Sequence, residues 1–399
     1  MLRLSPRVAT LDGAATSLAT EKARKLKAGG RDVIEMARGE PYFATPEHVV
    51  RAAIAALERG ETRYTPADGT PALKDAIRRK FRRDNGLEFT REEVLVGAGC
   101  KQVLYGAFAV TLDVNDEVVI PSPCWDCYAS MAHLAGARSV LVPCTPEQGF
   151  KLTPEQLEAA ITPRTRWLLL NSPSNPTGAT YTADELARLA AVLARHPHVW
   201  LLSDEIYEHL TYGVRPVSAL AVAPQLRDRA LTVGGVSKTY AMTGFRIGWG
   251  AGPAELIQAM ARLQSNSTSN PCSISQAAAA AALDGPQDLV EVRRAELRAR
   301  RDFAVEKLAA TRWLVSRAPD GACFVFVSCA AALGRRTPRE RVLRDDRDFA
   351  DALLEEAGVA VTPGSAFACG DYFRLTYAVP AEALEQACRR IAGFCESLT

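Results

Sequence analysis

Lys238 lies in the stretch GGVSKTYAMTGFRIGW, residues 234–249, among small and apolar side chains. An amine at the end of an apolar strand has its charged form disfavoured by desolvation, which frees the lone pair for attack on a carbonyl. Alone, such a lysine more often snorkels from a helix start. It is not alone. Asp204 follows the apolar run VWLL, where a carboxylate is costly without a cationic partner. A protonated pyridine nitrogen is such a partner, and keeping it protonated makes the ring an electron sink. Tyr207, three residues on, and Asn175, in NSPSNPTG, can both reach a phenolic oxygen on that ring.

An anion site is also available. GAGCK, residues 97–101, is a glycine turn between a strand and a helix, so backbone N–H groups and the helix dipole favour an anion there. Such turns often serve only chain reversal, but Arg246 in GFRIGW adds a bidentate partner for phosphate. An amine for an aldehyde, an acid for a pyridinium, a phenol partner and a phosphate cup together describe pyridoxal 5′-phosphate.

The elements that must hold these groups are short apolar strands alternating with amphipathic helices from about residue 90. EEVLVGAG, DEVVIPSP, ARSVLVPC, TRWLLLNSP, VWLLSDE, ALTVGG and FRIGWGAG read as strands covered on both faces of a mostly parallel sheet. KQVLYGAFAVTL, WDCYASMAHLAG, TPEQLEAAI and TADELARLAAVLARH read as helices. Thr45-Pro46 and Thr70-Pro71 each pair an N-cap with proline at the first helical position, and Asn85-Gly86 stops the second helix. After Gly285-Pro286 a long helical run precedes strands at WLVSRAP, GACFVFVS, VAVTP and YFRLTYA. The expected fold is α/β: a doubly wound, mostly parallel sheet in a large cofactor-binding domain of 45–285, with 1–44 and 286–399 forming a small α+β domain. In such sheets ligands bind beyond the strand ends, where Gly99, Asn175, Asp204 and Lys238 all fall.

The totals agree. The 399 residues carry 48 basic and 46 acidic side chains, a net charge of +2, which makes no electrostatic case for nucleic acid or an anionic membrane. The basic stretch Arg293–Arg301, interleaved with Glu291 and Glu296, reads as a solvated helix face. Ten cysteines are scattered without metal-ligand spacing except Cys124 and Cys127, a C-x-x-C that no second pair or histidine pair answers, and their number fits a reducing compartment. No apolar run nears the roughly 18 residues of a membrane span, and the expected location is the cytoplasm.

The motifs LSPRVATL, GEPYFATPEHV, TRYTPADGTPALKDAI, VGAGCKQ, DEVVIPSPCW, NSPSNPTG, SDEIYEHL, SKTYAMTGFRIGW, VTPGSAFA and FRLTYA span nearly the whole chain. Through them the sequence resembles the class I aminotransferases of the aspartate aminotransferase superfamily, in the bacterial branch with aspartate and aspartate/prephenate aminotransferases. The resemblance implies that Lys238 carries the cofactor aldehyde and shuttles the substrate proton. It implies Asp204 on the pyridinium, Asn175 and Tyr207 on the phenolate, and Trp125 on the ring face. Gly99, Cys100, Lys101, Ser237 and Arg246 would cup the phosphate, with Tyr64 reaching that of a neighbouring subunit in a homodimer. Arg374 would hold the substrate α-carboxylate with Asn175 and the backbone of Gly39. Lys101 and Thr16 would face a distal carboxylate.

Three positions depart from the family. Gly235 replaces a hydroxyl residue, Tyr42 stands where the branch usually has Asp, and Asp126-Cys127 replaces less polar neighbours of Trp125. They bear on substrate, not cofactor. The expected reaction moves an amino group between aspartate or glutamate and a 2-oxo acid such as 2-oxoglutarate. Alternatives are an aromatic or arginine-like donor drawn by Asp126, or a β-lyase on the same scaffold. A regulator with an aminotransferase-like ligand domain is disfavoured because the pattern begins near residue 5.

Overall fold

The computed structural model describes residues 5–9, 11 and 15–399, the side chains of 15–17 excepted. Its strands are β1 (Ile34–Glu35), β2 (Val94–Gly97), β3 (Glu117–Ser122), β4 (Arg138–Pro143), β5 (Thr165–Asn171) and β6 (Trp200–Asp204). They continue with β7 (Ala230–Gly235), β8 (Gly248–Ala251), β9 (Phe324–Ser328), β10 (Val359–Ala360), β11 (Thr362–Pro363) and β12 (Tyr372–Thr376). A seven-stranded sheet has the order β2-β8-β7-β6-β5-β3-β4. Neighbours from β7 through β4 are parallel, and β8 runs antiparallel to both β2 and β7.

Alternating side chains explain the uninterrupted apolar runs. Leu168, Leu170 and Leu201 enter one hydrophobic cluster, while Leu169, Leu202, Leu231 and Val233 enter another. Because successive strand residues face opposite sides, both faces of the sheet are dry and both must be apolar. The exception is β4, an edge strand with several exposed positions, so ARSVLVPC is not covered on both faces.

Helix ends follow the local chemistry in most places. Thr70 accepts from the Leu73 N–H at 3.3 Å with Pro71 behind it, and Gly86, at φ 65°, ends the segment after a π-turn at Phe81–Asn85. Thr153 and Thr182 each close a capping box. Thr45 does not cap. Its hydroxyl donates to the Ala241 carbonyl at 2.8 Å, and the helix begins at Glu47 without a side-chain cap. A tertiary acceptor has outcompeted the local N–H groups.

The later strands form an antiparallel sheet, β11-β12-β9, and the parallel pair β1-β10. Two sequence expectations fail here. WLVSRAP contributes only a bridge from Val315 to Ser328. VAVTP divides at Val361, so that β10 pairs with β1 while β11 pairs with β12. The Arg293–Arg301 stretch is not a purely solvated face either. Arg301 is buried, donating to the Pro319 carbonyl at 2.9 Å and lying over Tyr212, and Arg293 donates to the Thr239 and Ala44 carbonyls. Arg294 and Arg300 do pair with Glu291 and Glu296. Among the described residues no helix is long and apolar enough to cross a membrane.

One close approach anchors the glycine turn. A Cβ at Gly248 would meet the backbone of Gly99 and Cys100, neither of which can swing aside. Gly248→Ala is expected to lower stability by about 1–3 kcal/mol, read as a lower denaturant midpoint with an unchanged slope.

Candidate active site

The ends of β5, β6 and β7 and the turn after β2 open on one cleft of about 290 Å³. Gly39, Cys100, Lys101, Trp125, Asn175, Asp204, Tyr207, Ser237, Lys238, Arg246 and Arg374 all line it, although they are scattered over most of the chain. Gly99 adjoins it through Arg246. Its φ of 87° and the guanidinium lying against it leave no room for a side chain.

Asp204 is buried at the end of β6 and has no ion-pair partner among the described residues. Its Oδ2 accepts from the Tyr128 hydroxyl at 2.6 Å and its Oδ1 from the Ile206 N–H at 3.2 Å. Burial raises the carboxyl to about 6 against these bonds and the nearby Lys238 charge. The cleft therefore holds a carboxylate that an incoming cation would stabilise.

Lys238 follows β7, and its Nζ donates to the Gly39 carbonyl at 2.6 Å. Burial pushes the amine below the ordinary lysine range, and the Arg374 charge adds to this. The Lys238 Nζ sits 6.0 Å from the centre of the Tyr207 ring, which packs edge-on against Phe324. Tyr207 is buried and its phenol is raised well above the usual range, so it remains a proton donor.

The glycine turn opens the helix Cys100–Thr111. Arg246, at φ 55°, is fixed by a 2.8 Å bond from Nη1 to the Thr243 carbonyl. Gly235 now has a packing explanation. A Cβ there would lie 2.8 Å from Cys100 Sγ, which donates to the Gly234 carbonyl at 3.1 Å, so the thiol occupies the missing side chain's space.

Arg374, on β12, is buried without a carboxylate partner among the described residues. Its Nη1 donates to Asn175 Oδ1 at 2.7 Å, its Nη2 to the Ala37 carbonyl at 2.6 Å, and its Nε to none of the described residues. Phe324 and Phe367 flank the guanidinium, and burial pushes it down to about 10. Lys101 is exposed but lines the cleft, with Nζ 4.7 Å from the Trp125 ring centre and 3.3 Å from Cys127 Sγ.

Other expected residues are elsewhere. Tyr64 is 90% exposed and does not line the cleft of its own chain. The Thr16 side chain lies outside the described residues. Tyr42 is held away by a hydroxyl bond to Glu296, with Arg300 over its ring at 3.9 Å. Asp126 does not line the cleft, and its charge acts on the Cys124 and Cys127 thiols and on Arg374.

The family model for aminotransferase class I and II matches residues 31–391. The chain belongs to this family. The aminotransferase is 52% identical to an aspartate aminotransferase of Rhizobium meliloti over 95% of its own length and 92% of the relative's. It is 50% identical to an aspartate/prephenate aminotransferase of Cereibacter sphaeroides, with both chains fully covered. Among solved structures, the Rhizobium meliloti aspartate aminotransferase superposes with a TM-score of 0.97 at 49% identity, covering all of both chains. The Thermus thermophilus aspartate aminotransferase with maleate gives 0.92 at 42% identity, covering 99% of this chain and all of that one.

Sequence reasoning missed Tyr128, Asn171, Ile206 and Thr243, which also line the aminotransferase cleft. Tyr128 was detectable, three positions after Trp125 across the turn that opens the helix Cys127–Leu134, where its N–H donates to the Trp125 carbonyl at 3.1 Å. Asn171 Oδ1 fixes the Asn175 N–H at 2.8 Å, a loop contact with no sequence signature.

The raised Asp204 carboxyl makes a stability prediction for the ligand-free aminotransferase. A group that binds its proton more tightly when folded contributes fully below its unfolded value of 3.8 and loses that contribution as pH rises to about 6. The loss is about 3 kcal/mol, from about two pH units at ~1.4 kcal/mol each. Asp204→Asn should thus be more stable than wild type at pH 8 by up to that amount, with the advantage gone at pH 4. Denaturant midpoints at the two pH values measure it; equal gaps would mean the carboxylate is not desolvated.

Proposed function

We propose that the protein is a pyridoxal 5′-phosphate-dependent aminotransferase whose donor is aspartate or glutamate and whose acceptor is a 2-oxo acid such as 2-oxoglutarate. One observation carries the cofactor reading: a buried Asp204 carboxylate with no ion-pair partner among the described residues shares a cleft with an amine of lowered proton affinity, Lys238. A pyridinium suits the first and an aldehyde the second. The glycine turn and the Arg246 guanidinium suit the phosphate. When bound, the cofactor supplies an electron sink for charge that develops at the substrate Cα.

The remaining work falls to the chain. Lys238 would bind the cofactor covalently and then move the proton from the substrate Cα. Asp204 would keep the ring nitrogen protonated, and Asn175 and Tyr207 would hydrogen-bond its phenolic oxygen. Trp125 would cover the ring, and the backbone N–H groups of Gly99, Cys100 and Lys101, with Ser237 and Arg246, would cup the phosphate. Arg374 would grip the α-carboxylate, with Asn175 and Gly39 beside it. Tyr64, exposed here, would reach the phosphate of a partner subunit, in a cytoplasmic homodimer. We also infer the division into 45–285 and the remainder.

The donor reading rests on two cations lining one cleft, Arg374 and Lys101, neither ion-paired to a carboxylate among the described residues. A dicarboxylate satisfies both. The names of the relatives, and the dicarboxylate maleate named with the Thermus protein, support this choice. Lys101, with Thr16, would face the distal carboxylate.

Borohydride reduction of the loaded enzyme should fix the cofactor on Lys238, and Lys238→Ala should bind it without a covalent link. Attachment elsewhere would end the assignment. Lys101→Ser should lower kcat/KM for aspartate by about 10- to 100-fold, one charge-assisted bond, while barely affecting aromatic donors. If all donors fall alike, or a cationic amino acid is the best donor, the dicarboxylate reading is wrong.

A further inference from the structure

Cys127 begins the helix Cys127–Leu134 and is buried beneath the cleft residue Lys101. The Lys101 side chain is extended over Trp125, with Nζ 4.7 Å from the ring centre, and its amine ends 3.3 Å from Cys127 Sγ. These are the contacts that orient a long, flexible side chain whose amine has no carboxylate partner among the described residues. Burial and the neighbouring Asp126 carboxylate push the thiol up to about 11, so it is uncharged at neutral pH.

We propose that Cys127 is a positioning residue for donor selection: its sulfur holds the Lys101 amine over Trp125, aimed into the cleft, without taking its charge. The proposal rests on the reading of Lys101 as the partner of the substrate's distal carboxylate. Its physical content is the weakness of the acceptor. A neutral sulfur orients an ammonium yet competes poorly with an arriving carboxylate. An acid at this position would hold the amine in an ion pair, which a dicarboxylate substrate would have to break. An alanine would release the side chain, and its rotamer entropy would be lost again at each binding event.

The test compares Cys127→Ser, Cys127→Ala and Cys127→Asp in the cofactor-loaded enzyme. Single-turnover half-reactions with aspartate and with phenylalanine give the rate constant and the apparent affinity separately. Cys127→Asp should weaken apparent aspartate binding about 10- to 100-fold, the size of one charge-assisted bond, with the saturating rate and the phenylalanine reaction unchanged. Cys127→Ala should weaken aspartate binding about 3- to 10-fold, and Cys127→Ser should recover most of it. Cofactor absorbance and melting temperature identify any variant that fails to fold, and Cys127→Val, close to the thiol in size but without an acceptor, then carries the comparison with Lys101→Ser and is expected to lose as much aspartate binding as Cys127→Ala. Equal losses for both donors, or no loss for either, in the alanine, valine or aspartate variants overturn the role of Cys127. Lys101→Ser separates the two readings. If it discriminates between donors while the Cys127 variants do not, Cys127 alone is misassigned; if it does not discriminate, the dicarboxylate reading itself has failed.

Discussion

Two opposite charges, buried and without ion-pair partners among the described residues, line the cleft of this molecule, and the architecture is organised around keeping them so. The Asp204 carboxylate and the Arg374 guanidinium line the same cleft but never meet. Desolvating either is expensive, and the hydrogen bonds each makes come from neutral dipoles: a tyrosine hydroxyl and a backbone N–H for the acid, an amide oxygen and a backbone carbonyl for the base. Had they paired with each other, both would be cheaper to bury and neither would attract a ligand. The sheet prevents this by presenting Asp204 at the end of β6 while β12, in a different sheet, delivers Arg374. The cost is recovered when complementary charges enter.

The acid is sustained by packing rather than by more charge. Tyr128 is buried beside it and meets Trp125 edge-on, with ring centres 5.3 Å apart. Glycines do the corresponding work at the anion turn. Gly99 admits the Arg246 guanidinium, Gly248 admits the turn's backbone, and Gly235 yields its space to Cys100. A methyl group would displace a charge at Gly99, a backbone donor at Gly248 and a thiol at Gly235, so these glycines set geometry and not merely flexibility.

Much of this was legible in the sequence because strand ends announce themselves. An acid after VWLL, or a lysine after ALTVGG, violates the apolar pattern at a point where β/α sheets expose their loops. The strands of the large sheet were equally readable, since dry faces on both sides demand uninterrupted apolar runs. What escaped were outcomes decided by distant partners. Thr45 has the residue types of a cap, yet the Ala241 carbonyl claims it. Arg301 belongs to a charged run but is drawn inward by the Pro319 carbonyl. Tyr42 sits in a site motif and still turns to Glu296. No local spacing encodes such competitions, and the short pieces of VAVTP were lost for the same reason, their pairings being set by β1 and β12.

The contacts that shape the cleft join remote parts of the chain: Lys238 to Gly39, 199 positions apart, Asn175 to Arg374, also 199, and Arg374 to Ala37, 337. During synthesis the glycine turn, Asp204 and Lys238 have all emerged long before Arg374 exists. A nascent chain can form its parallel sheet early, but the pocket for substrate closes only when β12 docks. Loop closure over such distances is slow, and topologies dominated by it fold late in their final steps. A small ligand that needs Arg374 therefore stabilises only the finished molecule, and its binding energy rewards completion of the fold rather than guiding its start.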